Sequence, residues 1–250
     1  MKALKKIVLA VLAVCLLLCC FPACSSSGSA ESDKLIMATN AEFPPFESKS
    51  GDGFVGIDID IMNAVAKKLG KELVVEDMEF DSIIPAITSG KADVGAAGIT
   101  VTDERKEEVN FSDPYANAIQ VIIVREDSTN NGDLTGLKVG VQQGTTGDTF
   151  VDWGNFGEVA SLERYSKGFE AVQALAQGKI DAVVIDNEPA KVFVEENEGL
   201  KILESGSISE EYALALSKNN DALLADINKA IQELKDSGEL QQIIDKYIAE

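Results

Sequence analysis

Any chemistry in this chain falls to carboxylates, amides, hydroxyls and a few cations, because the sequence contains no histidine. Without imidazole there is no His-based nucleophile triad, no His metal site and no ordinary general base near neutral pH. The four cysteines, Cys15, Cys19, Cys20 and Cys24, all sit in one N-terminal segment, so the rest of the chain offers no thiol. Side chains at a repeated spacing are more informative. AITSGKADVGAAGIT (residues 86–100) and ALAQGKIDAVVIDNE (residues 174–188) match at an offset of 88, sharing an initial Ala, a Gly-Lys pair and an Asp two residues later. Two lobes built alike would produce such a match, and chance likeness between ordinary helix-Gly-strand units is the alternative. Open α/β sheets bind ligands beyond the carboxyl ends of their strands. Gly98, Ile99 and Thr100 on one side, and residues 185–187 with Asp186 on the other, are therefore candidate edges of one site.

Taken singly, several residues have plainer readings. Arg105 in TDERKEE reads as a solvated partner of Glu104 or Glu108 at a helix start. Asp186 reads as an N-cap before Asn187-Glu188-Pro189, Phe43 and Phe80 as core rings, and Asn40 as the organiser of a turn. GTTGD (residues 144–148) has two glycines but lacks the lysine and spacing of a nucleotide P-loop. DSTNNGD (residues 127–133) resembles a calcium loop in composition only and omits the terminal Glu. No metal and no cofactor is expected.

The elements that must position these residues alternate between short apolar runs and longer helical periods, which predicts an α/β fold. Strands are expected at 35–39, 73–76, 92–98, 120–124, 138–141, 181–185 and 212–216. The segment GIDIDIMNAVAKKLG puts Ile57, Ile61, Ala64, Val65 and Leu69 on one face of a helix that ends at Gly70. Asp81 is expected to cap a short helix ending at Ser89, and Thr102 to cap DERKEEV. Further helices are expected over 167–177, 188–196 and 221–236.

A chain of 250 residues holds one large domain or two modest lobes. Its 22 basic and 42 acidic residues give a net charge of -20, which repels nucleic-acid phosphates and anionic membrane surfaces, so no nucleic-acid partner is expected. The start reads as an export signal: Lys2, Lys5 and Lys6, then 15 apolar residues from Ile7 to Phe21, then Ala23-Cys24 before a Ser-rich stretch. The apolar run is shorter than the roughly 20 residues that span a membrane. Ala23-Cys24 resembles the lipobox of bacterial lipoproteins, with Cys24 as the lipidated residue. FPAC departs from the usual pattern at Phe21 and Pro22, which leaves Cys20 as a second site. Residues 1–23 are thus expected to be a lipoprotein signal peptide, and 24–33 the lipidated Cys and a flexible tether. Cleavage would leave 19 basic residues against 42 acidic.

The motifs NAEFPPFE, GIDIDIMNAVAKKL, EFDSIIPAI, AAGITVTDERKEEVNFSDPY, GVQQGTTGDTF and DAVVIDN follow one another between residues 40 and 187. Together they resemble family 3 of the extracellular solute-binding proteins, the polar amino-acid receptors of bacterial ABC importers. The resemblance covers essentially all of residues 34–250. It implies a two-lobe, type II periplasmic-binding-protein-like α/β fold with the ligand cleft between the lobes and two hinge crossings. Lobe 1 is expected at 34–115 plus 213–250, and lobe 2 at 116–212.

The same resemblance implies roles. Arg105 grips the ligand carboxylate with a bidentate fork, helped by donors on Gly98, Ile99, Thr100 and the backbone of Thr146, while Asp186 takes the ammonium. Phe43 and Phe80 cover the ligand's stem. Asn40 stands where members that bind basic amino acids carry an acid, and Gln142 offers the same amide chemistry, so a polar uncharged ligand such as glutamine is the leading expectation. Glu42, Glu79 and Asp81 leave a basic amino acid open. The expected partners are a free amino acid, the membrane permease of an ABC importer and the membrane itself through a lipid anchor, with the protein a monomer. It is expected on the outer face of the cell membrane, or in the periplasm where there are two membranes. The competing readings are an enzyme of the same fold resembling cyclohexadienyl or arogenate dehydratases, for which no general acid is singled out, and a ligand-sensing module for a separate receptor.

Overall fold

The computed structural model describes residues 33–203 and 208–248. The expected leader and Cys24 lie outside the described residues. The chain begins with β1 (Lys34–Thr39), a small antiparallel sheet of β2 (Glu42–Phe43), β3 (Glu47–Ser50) and β4 (Gly53–Val55), and helix α1 (Ile57–Leu69). In α1 the apolar positions Ile57, Ile61 and Val65 are buried on one face, Asp58 and Asp60 occupy the positive first turn, and Lys67 and Lys68 the negative last turn. Gly70 ends it with φ of 68°, a left-handed conformation that glycine adopts without steric cost. β5 (Glu72–Asp77), α2 (Ile83–Thr88), β6 (Val94–Gly95), α3 (Asp103–Glu108) and β7 (Val109–Phe111) follow.

The second set of elements is β8 (Ala116–Arg125), β9 (Lys138–Gln142), α4 (Thr146–Asp152), β10 (Ser161–Tyr165), α5 (Gly168–Ala176), β11 (Ala182–Asp186), α6 (Asn187–Glu196), β12 (Leu200–Ile202) and β13 (Ile208–Tyr212). The chain closes with β14 (Ala215–Ser217), α7 (Asp221–Ser237) and α8 (Glu239–Asp245). One sheet has the order β5-β1-β6-β14-β7 and the other β10-β9-β11-β8-β12, with β13 paired on β8. This is a mixed α/β fold, as the alternation of runs in the sequence predicts, with two sheet-rich lobes, as the repeat and the resemblance imply. The chain passes between the sheets from β7 to β8 and back from β13 to β14. The two passages are tied together: Tyr115 N donates to Tyr212 O at 2.9 Å and Ser112 N to Leu214 O at 2.9 Å. After the return, α7 buries Ile227, Ile231 and Leu234, and Tyr247 donates to Asp60 of α1 at 2.9 Å.

Local differences from the sequence expectations have physical causes. Phe80–Ser82 is a single 3-10 turn, and α2 begins at Ile83 with no side-chain cap, so Asp81 does not cap it. Asp81 instead accepts from Gln143 Nε2 at 2.7 Å. Only Val94–Gly95 of the run expected over 92–98 is strand, because Gly98 turns the chain away with φ of 54°. The run over 212–216 is divided where the chain crosses between sheets. Residues 146–152, for which the sequence pattern predicts no element, form α4 with Thr145 Oγ1 accepting from Asp148 N at 3.3 Å. Thr102 caps α3 as expected, accepting from Arg105 N at 3.1 Å.

Candidate functional site

The carboxyl ends of β1 and β6 in one lobe face those of β9 and β11 in the other. Between them lies a narrow pocket lined by Asn40, Phe43, Phe80, Gly98, Thr100, Arg105, Gln142, Thr146 and Asp186, together with Glu47, Ala97 and Thr145. Nine of the ten site residues expected from the sequence are thereby brought together. Ile99 is not among them. It is buried against Ile83 and Ile87, and its carbonyl accepts from Ala213 N at 3.1 Å. It borders the wider adjoining groove, about 1270 Å³, which shares Phe80, Thr100, Arg105 and Thr146 with the pocket. The pocket itself is tight, about 10 Å³, so an amino acid enters only if side chains or lobes move apart.

Arg105 is placed by α3 and its Thr102 cap. Its guanidinium donates to Thr100 O at 2.8 Å and, across the cleft, to Gly144 O at 3.0 Å, rather than forming an ion pair with Glu104 or Glu108. It also lies over the Phe80 ring, 5.3 Å from the centroid. Asp186 ends the fully buried strand β11 and makes no side-chain cap to α6, which argues against its plainer reading. Its Oδ1 accepts from Tyr212 Oη at 2.6 Å. Burial above all, and then the Glu210 carboxylate, push its pKa up to about 7. Glu210 in turn accepts from Gln120 Nε2 at 2.9 Å, and the same Nε2 lies 3.3 Å from Thr146 Oγ1.

Asp58 plays a matching part beneath the first lobe. Wholly buried in α1, it accepts from Gly98 N at 2.9 Å and Tyr115 Oη at 2.8 Å. Burial pushes its pKa to about 7 although both hydrogen bonds oppose the shift. The loop it holds depends on glycine: a Cβ on Gly98 would lie 3.1 Å from the rings of Phe43 and Tyr212.

Glu47 is the main residue that the sequence reading missed. It is 1% exposed, lines the pocket, and neither carboxylate oxygen has a hydrogen-bond partner. Burial first, and then the charges of Asp58 and Asp186, hold its carboxyl well above the usual range. The one sequence signal was the tight Phe43-Pro44-Pro45-Phe46 turn, which sets Glu47 opposite Phe43 across the β2–β3 pair.

Further hydrogen bonds join the lobes across the pocket. Gln142 Nε2 donates to Asn40 Oδ1 at 2.8 Å, while Asn40 Nδ2 donates to Met78 O at 2.8 Å. Asn40 thus orders its own loop and also faces the opposite lobe. Lys167 pairs with Glu42 at the rim. The DSTNNGD loop is held by protein groups: Gly132 N donates to Asn130 Oδ1 at 2.7 Å within it, and Lys201 Nζ of β12 donates to Ser128 O at 2.8 Å. Among the described residues no helix is long and apolar enough to cross a membrane.

Comparison with known proteins adds what geometry alone does not. The family model described as bacterial extracellular solute-binding proteins, family 3, matches residues 35–250. The arginine-binding extracellular protein ArtP of Bacillus subtilis (strain 168) is 35% identical over 251 residues, covering 98% of each chain. The solved structure of an ancestral arginine-binding protein bound to arginine is 41% identical with a TM-score of 0.81, covering 87% of this chain and 99% of that one. An ancestral arginine-binding protein bound to glutamine is 42% identical with a TM-score of 0.82 and the same coverage.

Proposed function

The chain belongs to family 3 of the bacterial extracellular solute-binding proteins, and from that premise we propose that it captures arginine or a related basic amino acid between its lobes and presents it to the permease of an ABC importer. Charge is the observation that carries the ligand class. The ionisable side chains lining the pocket are one cation, Arg105, and two carboxylates, Asp186 and Glu47. A free amino acid with an extra side-chain cation balances that set with both carboxylates ionised, whereas a net-neutral one balances it only when one carboxyl holds a proton. The relatives named for arginine support the same class.

In this reading Arg105 exchanges its carbonyl partners for the ligand carboxylate, which matches the planar fork better. Asp186 takes the ammonium with the Thr100 hydroxyl, and Phe43 and Phe80 flank the stem. The lobes, 34–115 with 213–250 and 116–212, part to admit the ligand and close on it, and the ligand's two ends bridge them. Relatives are named as binding proteins, and no enzymatic step is assigned to the pocket. Export and anchoring through Cys24 complete the reading. Palmitate labelling lost in Cys24→Ser would support that anchor, and labelling that persists would point to another cysteine.

Glutamine remains a second reading because of one observation. The Asn40–Gln142 amide pair offers both donors and acceptors to an uncharged polar head, and a relative is known with glutamine bound. Calorimetry of the purified protein against the standard amino acids tests both. Arginine, or lysine close behind it, is expected to bind most tightly, and a bound set without any basic amino acid would overturn the proposal.

A further inference from the structure

Resting on the pocket as an amino-acid site, we infer that Glu47 matches the ligand's side-chain charge by exchanging it for a proton: basic ligands bind with Glu47 ionised, uncharged ones with Glu47 protonated. Glu47 lines the pocket, is 1% exposed, and has no partner for either oxygen. A desolvated carboxylate in that position needs a cation or a proton.

Among the described residues, the groups that act on it supply no cation of their own. Asp58 on α1 and Asp186 at the end of β11 are the charges that act on it, and both disfavour its ionised form. The hydroxyls of Tyr115 and Tyr212 are already committed to Asp58 and Asp186. Glu210 of β13 adds a further acid on the Asp186 side. Arg105, the pocket's one cation, is bonded to Thr100 and Gly144 and is the partner for a ligand carboxylate.

When a zwitterion binds, its carboxylate offsets Arg105 and its ammonium offsets Asp186, and Glu47 is left over. With an uncharged side chain the carboxyl keeps or takes up one proton from solvent. With a guanidinium side chain that proton goes to solvent, and the ligand's charge takes its place. Selectivity for arginine over citrulline, its uncharged isostere, therefore rises with pH by up to about tenfold per unit. The proton on Asp186 responds to the ammonium that both ligands carry, so it cancels in the comparison.

Titration calorimetry of the full protein with arginine and citrulline, in buffers of different ionisation enthalpy over roughly pH 5 to 8, reads the difference directly. Arginine is expected to release about one proton more than citrulline, and the arginine-to-citrulline affinity ratio to fall as pH falls. Glu47→Gln should abolish the difference and flatten the selectivity profile. Equal proton counts for the two ligands in the wild type overturn the inference while leaving the amino-acid site standing. Citrulline that fails to bind even at the acid end, while arginine binds, also overturns it. A protein that binds neither overturns the pocket assignment as well. The wild-type difference decides the matter even if the variant folds poorly.

Discussion

Lys91 N reaches back to Ala86 O and Lys179 N to Ala174 O, both at 2.9 Å, and each follows a left-handed glycine, Gly90 and Gly178. The helix stop of the first lobe is thus repeated 88 residues later in the second. The likeness continues: Asp93 accepts from Ile36 N at 2.8 Å and Asp181 from Lys138 N at 3.0 Å, and each Asp N–H donates back to the same residue. Then the two units part. β6 ends at Gly95 and runs into a loop pinned by Asp58, whereas β11 continues to its end at Asp186. Gly98 and Asp186 stand at the same offset, one bare backbone and the other a carboxylate. One scaffold thus presents two chemically different ends, which suits a ligand whose own two ends differ.

The largest expected effect breaks the comparison at its charged corners. Arg105→Ala or Asp186→Ala should weaken amino-acid binding by about 2 to 5 kcal/mol, because each leaves the opposing ligand charge buried without a partner. Folding should persist, and calorimetry of both variants with arginine is the measurement. Binding within twofold of wild type in both would remove this pair from the site.

Next comes the buried acid on the Gly98 side. The Asp58 pKa rises from 3.8 to about 7 on folding, so the folded state holds its proton more tightly. The stability this contributes is complete below about pH 4 and is lost as pH rises through about 7, an amplitude of order 4 kcal/mol. Denaturant unfolding across that window should show stability falling toward neutral pH, with a shallower slope in Asp58→Asn. An unchanged slope would show that Asp58 does not titrate there.

A smaller effect is expected from Gly98→Ala. Left-handed backbone costs a residue with a Cβ about 1 to 2 kcal/mol, and here the new atom also crowds two rings at 3.1 Å. Lower stability together with weaker ligand binding is expected from parallel melts and titrations. A variant as stable as wild type would mean that the loop accepts another conformation.

The smallest effect sharpens the likeness. Asp93→Ala and Asp181→Ala each remove one strand-start hydrogen bond and should cost about 1 kcal/mol. Asp181 also lies 3.6 Å from Arg125, a half-exposed pair that adds little. Losses differing by several kcal/mol in urea titrations would mean the repeated geometry is not repeated in energy.

Much of the fold was legible because its signals are local. The apolar face of α1, its Gly70 stop, the Thr102 cap and the buried run of β11 each follow from a few neighbouring residues. The signals that misled were also local. GTTGD, with its two glycines, gave no helix signal, yet Gly147 sits within α4 where a Cβ would lie 2.9 Å from Gln120 Oε1 and 3.2 Å from Val184 O. That requirement comes from strands far away in sequence. Ile99 was expected beside its neighbours Gly98 and Thr100, but the left-handed turn at Gly98 rotates its side chain into the core.

The sequence by itself determined the α/β class, the repeated unit and the strand ends where a site should lie, since periodicity and capping are properties of short segments. Only the tertiary structure decided that Glu47 is a buried carboxyl facing the same pocket as Asp186. That outcome depends on Asp58 and Tyr115 from one direction and Asp186 and Tyr212 from the other. Burial and mutual repulsion act through distances in space, and no spacing within FPPFE encodes them.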